Sequence, residues 1–199
     1  PFDPSHQSKD LDARIIVALE RISEAFRVML WEAGKKNKLS PIQVQILIFL
    51  NYHDSGHCTI TCLSEEFAMS KPTISEVVKT LENKGLVLKV NSEKDSRSFH
   101  LKLSPAGKHL AISLEHFTAP LSKNMNADTR EEKQRMYDCL LNALTGLRKD
   151  GVIRRQRMCP TCEHLQHRKT SRHCGKLKKD MTPSEYLIDC HEHSELQEV

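Results

Sequence analysis

The sequence predicts a mainly α-helical protein that carries one small β-hairpin and a separate, cysteine-rich C-terminal segment. Apolar residues recur at the three- and four-residue steps of amphipathic helices over most of residues 11–147. After residue 85 this pattern gives way to two short alternating segments with a polar turn between them, which is typical of a hairpin. Residues 151–199 show neither pattern and hold four of the seven cysteines, so a different kind of structure is expected there.

The first half of the chain predicts a series of helices. Residues 11–31 form a long amphipathic helix, after a polar N-terminal stretch that we expect to be frayed. Ser40 suits the cap of the next helix and Pro41 its first position, and the apolar residues 42–50 that follow are expected in the core. Residues 61–68 predict a short third helix.

Residues 70–84 predict the helix around which the rest of this region is organised. Ser70 suits its cap, Pro72 its first turn and Gly85 its end. Apolar residues one and two turns apart give it a dry face: Ile74, Val77, Val78 and Leu81. Most helices of this kind only cover a core.

The opposite face of this helix suits contact with DNA. Short polar and basic side chains dominate it: Ser70, Lys71, Thr73, Ser75 and Lys79. In a major groove, the helix N-terminus and Lys71 would meet phosphates, while Thr73, Ser75 and Lys79 would reach base edges. We therefore expect these five residues to form a DNA-reading surface.

The neighbouring segments favour the DNA-binding interpretation. Residues 61–68 and 70–84, joined by a turn over residues 69–72, have the layout of a helix-turn-helix. Residues 86–90 and 99–103 follow as two strands joined by a charged turn. A helix-turn-helix followed by a charged hairpin is the winged-helix arrangement.

Residues 71–108 (KPTISEVVKTLENKGLVLKVNSEKDSRSFHLKLSPAGK) closely resemble the recognition helix and wing of MarR-family transcription regulators. Asp95 and Arg97 match the family's Asp-x-Arg wing tip, and its Leu-Thr-x-x-Gly motif is matched, with serine for threonine, by Leu103, Ser104 and Gly107. The resemblance covers residues 10–147 and implies a regulator, expected to repress, that binds a palindromic double-stranded DNA site. A small-molecule effector is compatible with it. Arg97 is expected in the minor groove or on its phosphates, oriented by Asp95.

The resemblance also implies a homodimer with MarR-like architecture. In the family, the first helix joins the helices after the wing, here residues 105–119 and 128–147, in an apolar interface between subunits. Pro120 is expected to interrupt the first of these helices and Asp128 to cap the second. Four segments are expected: a first dimerisation region (residues 1–34), the winged helix (residues 35–104), a second dimerisation region (residues 105–150) and a cysteine-rich module (residues 151–199).

The C-terminal segment predicts a metal site. Its cysteines have the spacing C-x2-C-x11-C-x15-C, at Cys159, Cys162, Cys174 and Cys190. Few large apolar residues accompany them, too few for a core, so metal ligation would have to offset the entropy lost on ordering. A disordered tail with incidental thiols is the alternative.

The kind of metal stays open. Zinc sites usually pair two C-x2-C knuckles, whereas only one is present here, and the irregular spacing favours an iron–sulfur cluster. Nearby imidazoles could instead complete a Zn²⁺ site of cysteine and histidine ligands: His164, His167, His173, His191 and His193. Basic residues in the same stretch would screen thiolates or reach DNA phosphates.

Composition and residue content argue against several other classes of protein, such as membrane proteins, secreted proteins and enzymes. The chain lacks an apolar run of the ~20 residues that cross a membrane, shows no secretory signal, and has an odd number of cysteines, so a cytoplasmic protein is expected. Cys58, Cys62 and Cys139 are expected as packing side chains rather than ligands or reactive thiols. A metal-dependent enzyme is disfavoured because four thiolates leave no open position on a tetrahedral ion. An adaptor whose tail recruits a protein partner remains the main alternative.

Overall fold

The computed structural model describes residues 2–53, 57–91, 99–125, 129–153, 157–168 and 171–196. Eight α-helices lie in these ranges: α1 (Pro4–Gln7), α2 (Leu11–Lys35), α3 (Pro41–Tyr52), α4 (Ile60–Glu66), α5 (Lys71–Asn83), α6 (Pro105–Leu114), α7 (Ala119–Asn124) and α8 (Arg130–Lys149). The strands are β1 (Val87–Asn91), β2 (Phe99–Leu103), β3 (Leu165–His167), β4 (Arg172–Cys174) and β5 (Lys179–Met181). The expected mainly helical fold with a small hairpin is confirmed. None of the described helices is both long and apolar enough to cross a bilayer.

The chain divides into two compact units. The first comprises residues 1–51, 77–90 and 101–124, and the second comprises residues 52–76, 91–100 and 125–199. The core of the first is built from aliphatic side chains that are almost fully buried: Val44, Ile46, Leu47, Val78, Leu81, Val87 and Leu101. In the second unit, Leu63, Ile74 and Met158 are fully buried.

Helix α2 runs four residues beyond its predicted end. The sequence suggests a break at Gly34, but Gly34 is helical, and the Leu39 amide donates to its carbonyl over 3.0 Å. A Cβ at Gly34 would lie only 2.4 Å from the Leu39 oxygen. The glycine is therefore needed for close backbone approach rather than for ending the helix.

The helices after the hairpin differ from their predicted bounds. Helix α6 ends at Leu114, and a 3₁₀ turn over Glu115–Thr118 leads into α7, so the break precedes Pro120. Pro120 lies in the first turn of α7, where its missing N–H costs little. The cap of α8 is Thr129, paired with Glu132 in a capping box, whereas Asp128 lies outside the described residues.

The C-terminal module contains a small antiparallel sheet that the sequence analysis did not predict. Its strand order is β3-β4-β5, with Leu165 opposite Cys174 and Arg172 opposite Met181. Met158 and Met181 are buried there, at 0% and 4% exposure. The buried apolar content of the module is as small as expected.

Candidate nucleic-acid interface and cysteine cluster

The two faces of α5 are divided as its sequence predicts. Ile74, Val78 and Leu81 are fully buried, and Val77 is half-buried. All five residues of the expected DNA-reading surface are exposed: Ser70, Lys71, Thr73, Ser75 and Lys79. The polar face is therefore accessible to a partner as large as double-stranded DNA.

The N-terminus of α5 is held by its predicted cap. The Thr73 amide donates to Ser70 Oγ over 3.2 Å, and the Thr73 hydroxyl lies 2.7 Å from the same oxygen. Capping satisfies one of the amides that a helix start leaves free. The contact also fixes the direction of the Thr73 side chain, which we expect to face base edges.

A tight turn joins α4 to α5. Thr59 caps α4 by accepting from the Cys62 amide, and Glu66 is its last residue. The Met69 amide then donates to the Ser64 carbonyl over 2.9 Å, while Ala68 adopts the left-handed conformation at φ 51°. Only four residues thus separate Glu66, the last residue of α4, from Lys71, the first residue of α5.

The base of the hairpin is fixed by Ser104 and two glycines. Gly85, at φ +69°, ends α5 as predicted, and Ser104 Oγ donates to its carbonyl over 2.7 Å. The same hydroxyl accepts from the Gly107 amide over 3.0 Å. A Cβ at Gly107 would lie 2.0 Å from the Leu86 carbonyl oxygen. Asp95 and Arg97 lie outside the described residues, so their place at the wing tip stays a prediction.

The four C-terminal cysteines converge from three segments. Cys159, Cys162 and Cys190 are buried, Cys174 is half-buried, and none forms a disulfide. Backbone hydrogen bonds tie the segments together: the Cys159 amide donates to the Leu187 carbonyl over 3.0 Å, and the Cys190 amide to the Arg157 carbonyl over 2.9 Å. The fold thus brings together residues that the sequence separates by up to 31 positions (190 minus 159).

Backbone amides point at two of the sulfurs. The Leu187 amide donates to Cys159 Sγ over 3.2 Å, and the Leu177 amide to Cys174 Sγ over 3.4 Å. Burial raises the pKa of the Cys159 thiol, the Leu187 amide partly opposes this, and the three neighbouring cysteines raise it further. Burial likewise raises the pKa of Cys190. Burial therefore disfavours the thiolate form of both side chains, and a bound cation would favour it.

The four cysteine side chains are not at the distances from one another that a shared metal ion requires. Among the residues that the structure describes, no group of three or more His, Cys, Asp or Glu side chains is arranged to hold a metal ion. A tetrahedral Zn²⁺ with Zn–S bonds of about 2.3 Å would draw the sulfurs to within about 4 Å of one another. Two of the candidate imidazoles are engaged elsewhere: His173 contacts Asp180 at 2.7 Å, and His193 contacts Thr161 at 3.0 Å.

The three remaining cysteines do not join this cluster. Cys58, just before α4, and Cys62, within α4, are buried as expected of packing thiols, and Cys58 Sγ donates to the His53 carbonyl over 3.4 Å. Cys139 is exposed in the protomer, where Leu141 is the sole described residue of α8 that is buried, so the expected place of Cys139 in an interface between subunits stays a prediction.

A charge cluster that the sequence does not indicate surrounds the buried side chain of Arg157, between the module and α4, and includes the exposed Asp189. Arg157, 3% exposed, lies 3.0 Å from Glu66 and donates to Asp189 over 2.7 Å. His53 Nε2 contacts the same Asp189 oxygen at 3.2 Å. Burial disfavours ionisation of Asp189, but hydrogen bonds from His53 and Arg157 outweigh it and lower its pKa to about 2. The partners are far apart in sequence, so no local pattern indicates them.

Comparisons with known proteins agree with this architecture. Residues 37–98 match the MarR family. The organic hydroperoxide resistance transcriptional regulator of Bacillus subtilis is 26% identical over 107 residues, which cover 52% of this chain and 73% of that protein.

Solved structures show the same fold. MepR of Staphylococcus aureus, in its complex with DNA, is similar with a TM-score of 0.56 and 19% identity, over 66% of this chain and 96% of that one. MarR of the same species, in complex with salicylate and kanamycin, is similar with a TM-score of 0.60 and 20% identity, over 72% and 96%. With its helix-turn-helix, its hairpin and these matches, the chain has the winged-helix fold of MarR-family transcription regulators, and its residues 37–98 match that family.

Proposed function

We propose that this protein is a homodimeric repressor whose C-terminal cysteines bind a metal centre that sets its affinity for DNA. The cysteine cluster carries the proposal: backbone hydrogen bonds join the three segments that hold the four cysteines, and backbone amides donate to two of the sulfurs. Backbone amides commonly donate hydrogen bonds to thiolate ligands, because these bonds stabilise the charged form of the sulfur.

The donor set suits a soft metal centre. Cys159, Cys162, Cys174 and Cys190 would hold either an iron–sulfur cluster, which the spacing favours, or Zn²⁺. The bound centre would supply charge that favours the four thiolates, and a cluster would add sensitivity to oxidants. Because thiols must lose protons to ligate, metal affinity should fall as the pH is lowered.

The homodimer is supported by the surface of α2. This helix of 25 residues buries only Ala13, Leu30 and Gly34 within the protomer. Large apolar side chains along it are exposed: Leu11, Ile15, Ile16, Leu19, Ile22, Val28 and Trp31. Exposed apolar surface of this extent is typical of an interface between subunits.

We expect light scattering to give twice the mass of the 22.8 kDa chain. Replacing Ile15 and Leu19 together by Glu should shift the protein toward the monomer, because charges would be placed in an apolar interface. The matched control replaces exposed Leu88, outside α2, by Glu and should remain dimeric. A monomeric wild type at micromolar concentration would refute the dimer.

We expect α5 to read the operator through Thr73 and Ser75. Replacing each by Ala should weaken binding by about 1–3 kcal/mol and relax sequence preference at one position, because a base contact is lost. The same change at exposed Ser113 of α6 is the control for loss of a hydroxyl away from DNA. Unchanged affinity and preference in both α5 variants would show that another face is used.

The proposed function is tested by purifying the protein without oxygen and measuring metal content, visible absorption and DNA affinity. The DNA would be a double-stranded site selected by the protein from a randomised pool. We expect bound iron with visible absorption, or colourless zinc, and weaker DNA binding after chelation. Protein that binds its site equally well with and without metal would reject metal control, and protein that binds no DNA would favour the adaptor.

A further inference from the structure

Arg157 connects the cysteine cluster to the helix-turn-helix through one residue. Its carbonyl accepts from the Cys190 amide over 2.9 Å, and Cys159 lies two residues further on. Its side chain is 3% exposed and reaches the other way, with Nη1 lying 3.0 Å from a carboxylate oxygen of Glu66. Backbone and side chain of this residue thus contact the two parts of the molecule that the proposed function requires to communicate.

Asp189 completes the connection from the second cysteine segment. It precedes Cys190, and its Oδ1 accepts from Arg157 Nε over 2.7 Å and lies 3.2 Å from His53 Nε2. The His53 side chain is itself only 6% exposed and lies just after α3. Arg157 therefore bridges two carboxylates, Glu66 and Asp189.

We infer that Arg157 is a positioning residue for DNA binding, which couples the order of the cysteine module to the end of α4. The inference rests on the proposed function for the origin of the signal. Glu66 is the last residue of α4, and α5 begins at Lys71. When the module is ordered, Arg157 holds Glu66 and fixes the turn that leads into the DNA-reading surface.

The burial of this charge explains why the coupling can be strong. A guanidinium that is almost fully buried has a large cost if either carboxylate moves away, because its charge is then left without compensation. Disorder at Cys159 or Cys190 displaces the Arg157 backbone or Asp189, and the end of α4 loses its partner. The signal is thus a change in the position of one buried charge.

The test compares wild type with Glu66→Gln, which keeps the side-chain volume and removes the charge. DNA affinity is measured by salt-controlled titration on the selected site, with metal-loaded and chelated protein, and metal content is measured on each sample. In the wild type we expect metal removal to weaken binding on the order of 5- to 150-fold, as is typical of coupled sites. In Glu66→Gln the metal should stay bound, and the response should fall to about twofold or less.

A second readout does not involve DNA or metal control. Deuterium uptake of backbone amides in residues 157–162 and 187–190 should rise in Glu66→Gln, whereas uptake in α8 should not change. Glu131→Gln, in the exposed first turn of α8, carries the same charge change and serves as the control for both readouts. If Glu66→Gln does not fold, Arg157→Lys replaces it, since a lysine cannot bridge both carboxylates at once.

The outcomes separate the two proposals. If metal removal does not change the DNA affinity of the wild type, metal control is refuted. The deuterium uptake then decides alone whether Arg157 links the module to α4. A wild type that responds, together with a Glu66→Gln variant that responds equally and exchanges no faster, overturns the role of Arg157. The role of Arg157 is supported if Glu66→Gln keeps its metal, no longer changes its DNA affinity on metal removal, and shows faster amide exchange.

Discussion

Replacing any one of Cys159, Cys162, Cys174 and Cys190 by Ser is expected to release the proposed metal centre. A site assembled from three segments has no spare ligand, and a serine hydroxyl is a poor substitute for a thiolate. Structural metal binding contributes on the order of 10 kcal/mol to folding in small metal-dependent domains. The buried apolar side chains of the module are too few to replace that contribution, so residues 157–196 should become sensitive to protease.

Metal analysis and limited proteolysis of the four variants would measure this effect. Cys139→Ser is the matched control, because Cys139 is exposed on α8 and outside the cluster. It should keep the full metal content and the protease resistance of the wild type. Four variants that all retained the metal would refute the ligand set. Loss of the metal in only some variants would limit the set to the cysteines replaced in those variants.

Gly107→Ala is expected to destabilise the winged helix strongly. The new Cβ would lie 2.0 Å from the Leu86 carbonyl oxygen and 2.9 Å from its carbon, both of which are backbone atoms. Backbone cannot turn aside as a flexible side chain can, so the hairpin base must shift. Overpacking of this kind typically costs about 1–3 kcal/mol or more, and the Ser104 bonds to Gly85 and Gly107 would be strained with it.

The matched control for this change is Gly146→Ala, which introduces the same methyl group in α8. Among the described residues, no atom outside the chain neighbours of Gly146 and the backbone of its own helix lies within 4 Å of a Cβ built there. Alanine there should raise stability by roughly 0.5–1 kcal/mol, because glycine is the weaker helix former. Midpoints of urea unfolding should therefore move in opposite directions. A Gly107→Ala midpoint equal to that of the wild type would contradict the close approach.

The sequence predicts best where the structure depends on local periodicity. The division of α5 into a buried and an exposed face follows from Ile74, Val78 and Leu81 alone, since one helix face repeats every three or four residues. Gly85 marks the end of the helix for an equally local reason, its positive φ. Ser104 and Gly107 were found through the resemblance, and the structure adds why they are needed, as cap and as close contact.

Other features could not be predicted because they depend on distant partners. Nothing near Arg157 indicates that it meets Glu66, 91 positions earlier (157 minus 66). The strands β3–β5 are three residues each, too short for an alternating pattern to show.

The cap of α8 could not be predicted for a different, local reason. Asp128 and Thr129 are both good caps, and each has a glutamate three residues later, Glu131 or Glu132.

The contact between His53 and Asp189 has a consequence for the order in which a newly made chain acquires its structure. The two residues are 136 positions apart, so the loop between them must close before the contact forms. Residues 41–103 leave the ribosome well before Asp189 is made. At about 5–20 residues per second the interval is on the order of ten seconds. During that interval the DNA-binding segment can already fold, whereas the four C-terminal cysteines can come together only after synthesis has passed Cys190.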